Sequence, residues 1–315
     1  MEAIRQDLEK ELGESVLEVR GIPEGHSGFT YWVELTGRTA VMRLPPPGAR
    51  IAGPADIPRQ GRIMDALSKA GLPVPPVIKM SEQPVVDGRP YYLVEAVEGE
   101  RIEVAMHHHP ARQLAASAVD VLRRMQALPI AKTGIGEEPG APLQAEIMRW
   151  GWLMERAPEE LTGDAPRLAT MLGDRIPPEK PPVLVHADYH YGNMLFKDGV
   201  VVGLLDWEIA QIGQPLLDLA CLSVVASASR MGAGVPGGGV VDVPDADLLE
   251  MYGGDEAEYR WFLALTYYKY ASIFGYNLML HRRGKRPDPI YEERTTTIME
   301  FIAEGIRLLG QEGAA

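Results

Sequence analysis

Residues 183–222 read VLVHADYHYGNMLFKDGVVVGLLDWEIAQIGQPLLDLACL, and this stretch constrains the fold and chemistry of the chain more than any other. An apolar strand ends at His186. Asp188 sits just beyond it, and Asn193 follows after four intervening residues. Two short strands then deliver Asp206 at the end of the second apolar run, 200–205.

Phosphoryl transfer needs a carboxylate to orient and deprotonate an attacking hydroxyl, and oxygen ligands that hold magnesium on nucleotide phosphates. An aspartate five residues before an asparagine fits the kinase catalytic loop H-R-D-x-x-x-x-N. A second aspartate on the following hairpin, here in Asp206-Trp207-Glu208, matches the metal-binding aspartate of D-F-G. Magnesium prefers a few hard oxygen ligands beside phosphate and water, which this set supplies. A lone H-x-D carries little weight, whereas Asp188, Asn193, Asp206 and Asp218 at these intervals carry a great deal. His186-Ala187-Asp188-Tyr189-His190 also reads as H-x-D-x-H, a metallohydrolase pattern, but no further metal-type cluster accompanies it.

The stretch resembles the aminoglycoside phosphotransferase-like kinases, and within them the kinase-like domains found alone in bacteria or fused to acyl-CoA dehydrogenases. Those show H-G-D-x-x-x-x-N followed by D-W-E. The likeness covers most of the chain. Residues 25–31, GHSGFTY, resemble the family's G-x-S-N-x-T-Y nucleotide loop. Residues 41–46, VMRLPP, resemble its V-L-R-x-P-P strand, and 92–99, YLVEAVEG, its hinge. The resemblance implies ATP and Mg2+ as cofactors, with Asp188 as catalytic base and Asn193 and Asp206 as metal ligands. Arg43 would reach the α- and β-phosphates in place of the usual lysine. Ser27, Gly28, Phe29 and Thr30 would cover the phosphates with backbone donors. Glu95 and Val97 would offer backbone groups to the adenine, and Asp218 would brace the catalytic loop.

Three positions depart from the family pattern. Ala187 replaces a glycine, Gln60 stands where a helix glutamate pairs the strand cation, and Gly28 replaces an asparagine. The implied activity is transfer of the γ-phosphate of ATP to a hydroxyl of a small molecule, whether aminoglycoside-like, an amino alcohol or a hydroxyacyl compound. The departures motivate the alternative, a nucleotide-binding pseudokinase. A protein kinase is disfavoured because no activation segment with A-P-E follows Asp206-Trp207-Glu208.

The remaining pattern predicts an α+β, protein-kinase-like, two-lobed fold. A helix is expected over 2–12, and strands over 15–21, 29–35 and 39–44. A helix over 56–70 and strands over 77–80 and 91–97 follow. Beyond Gly99 helices dominate, at 109–128, 142–157, 163–175, 215–228, 255–282 and 290–310. The expected division is a nucleotide-binding lobe over 1–98 and a catalytic and substrate lobe over 99–315. The Gly- and Val-rich segment 231–244 reads as a mobile loop. Tyr267, Tyr268, Lys269, Tyr270 and Asn277 share one helix, and core packing is the expected role.

Charge bears mainly on partners. With 44 acidic and 31 basic residues the net charge is -13, which repels nucleic acid and anionic lipid. A small-molecule hydroxyl substrate is the expected partner, with no nucleic acid and no membrane; oligomeric state is left open. One cysteine, Cys221, permits no internal disulfide and reads as a small buried hydrophobe. With no apolar signal core at the N-terminus, the expected location is cytoplasmic.

Overall fold

The computed structural model describes residues 1–22, 29–230 and 241–310. Helix α1 (Glu2–Leu12) stops at Gly13, whose φ of 69° suits a residue without Cβ. Strands β1 (Val16–Ile22), β2 (Phe29–Leu35) and β3 (Arg38–Leu44) follow. After α2 (Ile57–Lys69) come β4 (Val77–Val86) and β5 (Arg89–Glu95). The five strands form one antiparallel sheet in the order β1-β2-β3-β5-β4.

The expected strand over 77–80 continues to Val86. Pro84 reads as a breaker in sequence, but β4 is an edge strand, where a missing N–H need not break a ladder bond. Its register shifts between Ser81 and Val86. Helix α2 starts at Asp56, whose carboxylate accepts the Arg59 N–H at 3.1 Å.

Helices α3 (Ile102–Ala105), α4 (Ala111–Gln126), α5 (Leu143–Met154) and α6 (Ala165–Asp174) open the second half. Strands β6 (Val183–Val185), β7 (Met194–Lys197), β8 (Val200–Leu204) and β9 (Gln211–Gly213) form two small sheets, β6-β9 and β7-β8. Helices α7 (Leu216–Arg230), α8 (Asp245–Tyr252), α9 (Glu256–Arg282) and α10 (Thr295–Gly310) complete the chain. The reading from sequence misses α3, α8 and β9, which are too short for a periodic signal. It starts α10 early because Pro289–Arg294 is a 3-10 turn. Residues 231–240 of the expected mobile loop, like Ser27 and Gly28, lie outside the described residues.

Two cores hold these elements. Ile4 and Leu8 of α1 pack with Val33, Met42 and Leu93 on one face of the large sheet. On the other face Tyr92 and Val94 join Ile57, Ile63 and Leu67 of α2, in a core that continues through α4, α7, α9 and α10. Helix α9 is buried nearly all round from Tyr259 to Ser272, as a central helix must be. The β7-β8 hairpin is tied to the first half of the chain. Leu204 N–H donates to the Pro73 carbonyl at 2.7 Å, and Glu100 and Phe196 exchange backbone bonds at 2.7 and 2.8 Å. That hairpin and β6 are the frame on which the polar residues of 186–208 are displayed.

Candidate active site

Strand β6 ends at His186, and the chain turns sharply at Ala187, whose φ is 67°. An L-residue with a Cβ holds this left-handed conformation at a cost of roughly 1–2 kcal/mol. Glycine at the same place in the resembling proteins would avoid that cost. The turn persists because both sides of the Ala187 residue are fastened. The Asp218 carboxylate accepts the N–H groups of His186 and Ala187, each at 2.8 Å. The Lys269 ammonium donates to the Ala187 carbonyl and lies 3.4 Å from the Cys221 sulfur. Asp218 thus makes the bracing contacts that the resemblance implies. Lys269, read from sequence as core packing, is buried beneath the turn at 186–188.

His186 is fully buried and neutral. Its Nδ1 accepts the Asp188 N–H at 3.3 Å, so Nε2 carries the proton and donates to the Leu205 carbonyl at 2.8 Å. Burial, against the attraction of Asp188, lowers its pKa to about 4. The ring packs at a tilt of 56° against Trp207, with centroids 4.6 Å apart, and Trp207 is itself buried packing.

The turn delivers Asp188 with three donors around its carboxylate. Tyr270 O–H donates to Oδ1 at 2.9 Å. Asn193 Nδ2 donates to Oδ2 at 3.2 Å, and His190 Nε2 lies 3.3 Å from the same oxygen. His190 Nδ1 accepts the Gly192 N–H at 3.1 Å, which leaves Nε2 as its donor. Burial alone would raise the Asp188 carboxyl, but His190 and Lys269 outweigh it and hold the pKa well below the usual range. Its side chain keeps 29% exposure, so the carboxylate has an open edge. With all four histidine nitrogens so engaged, H-x-D-x-H has no nitrogen to offer a metal. Sequence reasoning assigned Tyr270 to core packing and read His190 within H-x-D-x-H, so neither was expected on the Asp188 carboxylate. The available signal was a lysine and a tyrosine adjacent in the apolar run 261–274, since a buried charge needs a partner.

Asp206 lies across the hairpin from Asn193. The Leu205 N–H donates to the Asn193 carbonyl at 2.8 Å, so the two candidate metal ligands are neighbours. Asp206 has φ 63°, which turns Glu208 back toward the large sheet. Arg43 reaches over from β3: its Nη1 is 3.0 Å from Asp206 Oδ1, and its Nη2 is 3.0 Å from Glu208 Oε2. Gln60 of α2 accepts a longer bond from Nη1, at 3.3 Å. Thr30 pairs with Arg43 across β2-β3, and Phe29 with Leu44. Phe29 is half exposed beside the Arg89 guanidinium.

At the junction of the two halves the Glu95 N–H is spent on the Pro76 carbonyl at 2.9 Å, and the Ala96 N–H on Thr39 at 3.1 Å. The Glu95 N–H is therefore not available to a ligand. The Val97 side chain lies over Gly203 of β8, where an added Cβ would come within 3.3 Å of it. Among the described residues no group of three or more His, Cys, Asp or Glu side chains gathers for a metal ion. Asn193 and Asp206 supply hard oxygens of the kind a magnesium ion takes one or two at a time, with phosphate and water completing the shell, so the donor chemistry fits that ion.

Asp218 and His186 make opposing contributions to stability. Burial, against its two N–H donors and Lys269, pushes the Asp218 carboxyl up to about 7. An acid with a raised folded pKa gains stability as pH falls from 7 toward the unfolded value. A histidine with a lowered folded pKa loses stability as pH falls from 6.5 to about 4. Asp218→Asn removes the first contribution only. Urea unfolding at pH 7, 6 and 5 is expected to show the variant losing stability relative to wild type at each step down. A constant difference would show that Asp218 stays ionised throughout.

A sheet cation set against a loop aspartate, an asparagine and a hairpin aspartate defines a two-lobed, protein-kinase-like phosphotransferase. Residues 18–262 match the phosphotransferase enzyme family, APH, and the chain belongs to that family. It is 29% identical over 217 residues to mouse acyl-CoA dehydrogenase family member 10, covering 66% of this chain and 20% of that protein. To human acyl-CoA dehydrogenase family member 11 it is 27% identical over 283 residues, covering 82% and 36%. The chain thus spans about a fifth to a third of the length of these relatives. Among solved structures, a candidate aminoglycoside phosphotransferase from Ralstonia eutropha superposes with TM-score 0.79 at 21% identity, over 97% of this chain and 98% of that one. The kanamycin and GDP complex of APH(2")-IIia superposes with TM-score 0.65 at 16% identity, over 98% and 97%. The expected α+β kinase-like fold is therefore present, and family membership supports a small-molecule phosphotransferase. No helix among the described residues is long and apolar enough to cross a membrane.

Proposed function

We propose that the chain transfers the γ-phosphate of ATP to a hydroxyl of a small molecule. The convergence of Arg43, Asp188, Asn193 and Asp206 from three separate elements carries this reading. Asp188 orients the acceptor hydroxyl through its open edge. Held as an anion by His190 and Lys269, and hydrogen-bonded by Tyr270 and Asn193, it is a weak base that takes the proton late, once the oxygen is already bonding to phosphorus. Asn193 Oδ1 and Asp206 would hold magnesium, which when bound draws negative charge from the phosphates. Arg43 offers its fork to the α- and β-phosphates. Ser27, Gly28, Phe29 and Thr30 cover the phosphates, and the Glu95 carbonyl with the Val97 backbone receives the adenine. Residues 1–98 act as the nucleotide lobe and 99–315 as the catalytic and substrate lobe.

The acceptor belongs to one of three classes: hydroxyacyl compounds, amino alcohols or aminoglycoside-like compounds. Likeness to proteins named as acyl-CoA dehydrogenase family members favours the first. The test is purified protein with ATP and magnesium against a panel drawn from the three classes, with phosphorylated product read by mass spectrometry. A product from one class is the expected result. ATP binding with no product from any compound would favour the pseudokinase instead.

A further inference from the structure

We propose that Glu208 positions Arg43, replacing the acidic side chain that a kinase-type site carries on its helix. The inference rests on the nucleotide-binding reading above. In kinase-type sites the strand cation is held by a glutamate of the helix beneath the sheet. Here that helix, α2, offers Gln60, which is 1% exposed and divided between two partners. Its Oε1 accepts from Arg43 at 3.3 Å, while its Nε2 donates to the Pro54 carbonyl at 2.9 Å. A neutral amide at that distance holds a buried guanidinium weakly.

The charge comes instead from the other half of the molecule. Glu208 Oε2 lies 3.0 Å from Arg43 Nη2, with the two side chains 23% and 10% exposed. Asp206 lies equally close to Nη1, but the proposed metal would share its charge. Glu208 holds the other arm of the fork, Nη2, from outside the proposed metal pair of Asn193 and Asp206. The left-handed turn at Asp206 brings the side chain two residues later back to the sheet. Arg43 is thereby aimed from the loop that carries Asp206, and α2 is relieved of that task. The third residue of Asp206-Trp207-Glu208 is accordingly a positioning residue.

The test needs no acceptor. The ratio of affinities for AMP-PNP and adenosine, measured by calorimetry, reports the grip on the phosphates. Glu208→Gln is expected to lower that ratio on the order of tenfold, the worth of one charge-assisted bond. Gln60→Glu added to the same chain is expected to restore most of the loss. In an Arg43→Met background Glu208→Gln is expected to add nothing, because the two residues act as a unit. An equal or larger ratio in Glu208→Gln overturns the proposal, as does a full effect in the Arg43→Met background. A loss that disappears in EDTA, or that Gln60→Glu leaves in place, makes Glu208 a metal ligand and also overturns it. A wild-type protein that binds neither AMP-PNP nor ADP defeats the kinase reading itself, an outcome distinct from normal binding that is indifferent to Glu208.

Discussion

Asp188→Asn is expected to lower phosphate transfer by about 10²–10⁴-fold, the contribution of a positioned general base, with nucleotide affinity nearly unchanged. The direction follows from the three donors that converge on the carboxylate: Tyr270 O–H, Asn193 Nδ2 and His190 Nε2. An anion accepts all three and still has an edge for the acceptor hydroxyl. An asparagine presents one NH2 group, which must face a donor already in place or turn toward the hydroxyl it should receive. It also cannot take the proton. Single-turnover transfer with an acceptor found in the panel, beside calorimetry with AMP-PNP, separates chemistry from binding. A variant that retains wild-type turnover would remove Asp188 from the reaction and leave its cluster as a structural device.

The same cluster shows what could be read from the sequence. Asp188, Asn193 and Asp206 were legible because their spacing is fixed by local structure: a strand end, a five-residue loop and one hairpin. Asp218 was legible because it lies just beyond the same segment. Tyr270 and Lys269 reach the site from α9, 82 residues further on. No local period records such a meeting, and an apolar helix with one lysine reads as packing until the fold supplies the partner. Gln60 was recognised as a missing charge, but its replacement by Glu208 depends on the φ of Asp206, which sequence does not reveal. Ala187 illustrates the converse. The letter marked a departure, and the structure shows it adopting the left-handed conformation anyway, because Asp218 and Lys269 hold the peptides on both sides. The short elements α3, α8 and β9 escaped because three to eight residues carry too little pattern to outweigh their neighbours.

Lys269→Met should be the most destabilising single change in this region. The side chain is 5% exposed, its ammonium lies over the Trp150 and Tyr270 rings, 5.5 and 4.8 Å from their centroids, and it donates to the Ala187 carbonyl. Methionine fills a similar volume and keeps the ring contacts, so the loss measured is that of the charge and its hydrogen bond. Removing one partner of a buried ionic group costs about 3–5 kcal/mol, because the other is left uncompensated. Here no carboxylate bonds Lys269 directly: the charges it offsets are those of Asp218 and Asp188, and its loss also releases the strained Ala187 turn on the carbonyl side. The pH dependence separates these contributions. Lys269 is among the groups that oppose the burial-driven rise of the Asp218 pKa to about 7, so without it the carboxyl holds its proton to higher pH. At pH 5 Asp218 holds its proton in folded wild type and variant alike, so its share of the charge loss is small, while the share that falls on Asp188 stays the same. At pH 8 the folded variant must either bury an unpaired anion or take up a proton, and the loss is at its greatest. Urea unfolding at pH 5 and pH 8 is expected to show the larger difference at the higher pH. Asp218→Asn in the same chain should recover part of it, because it removes the charge left unpaired. A loss that is equal at both pH values would mean that Lys269 does not act through the charge of Asp218, and that the loop is held by its hydrogen bond to the Ala187 carbonyl.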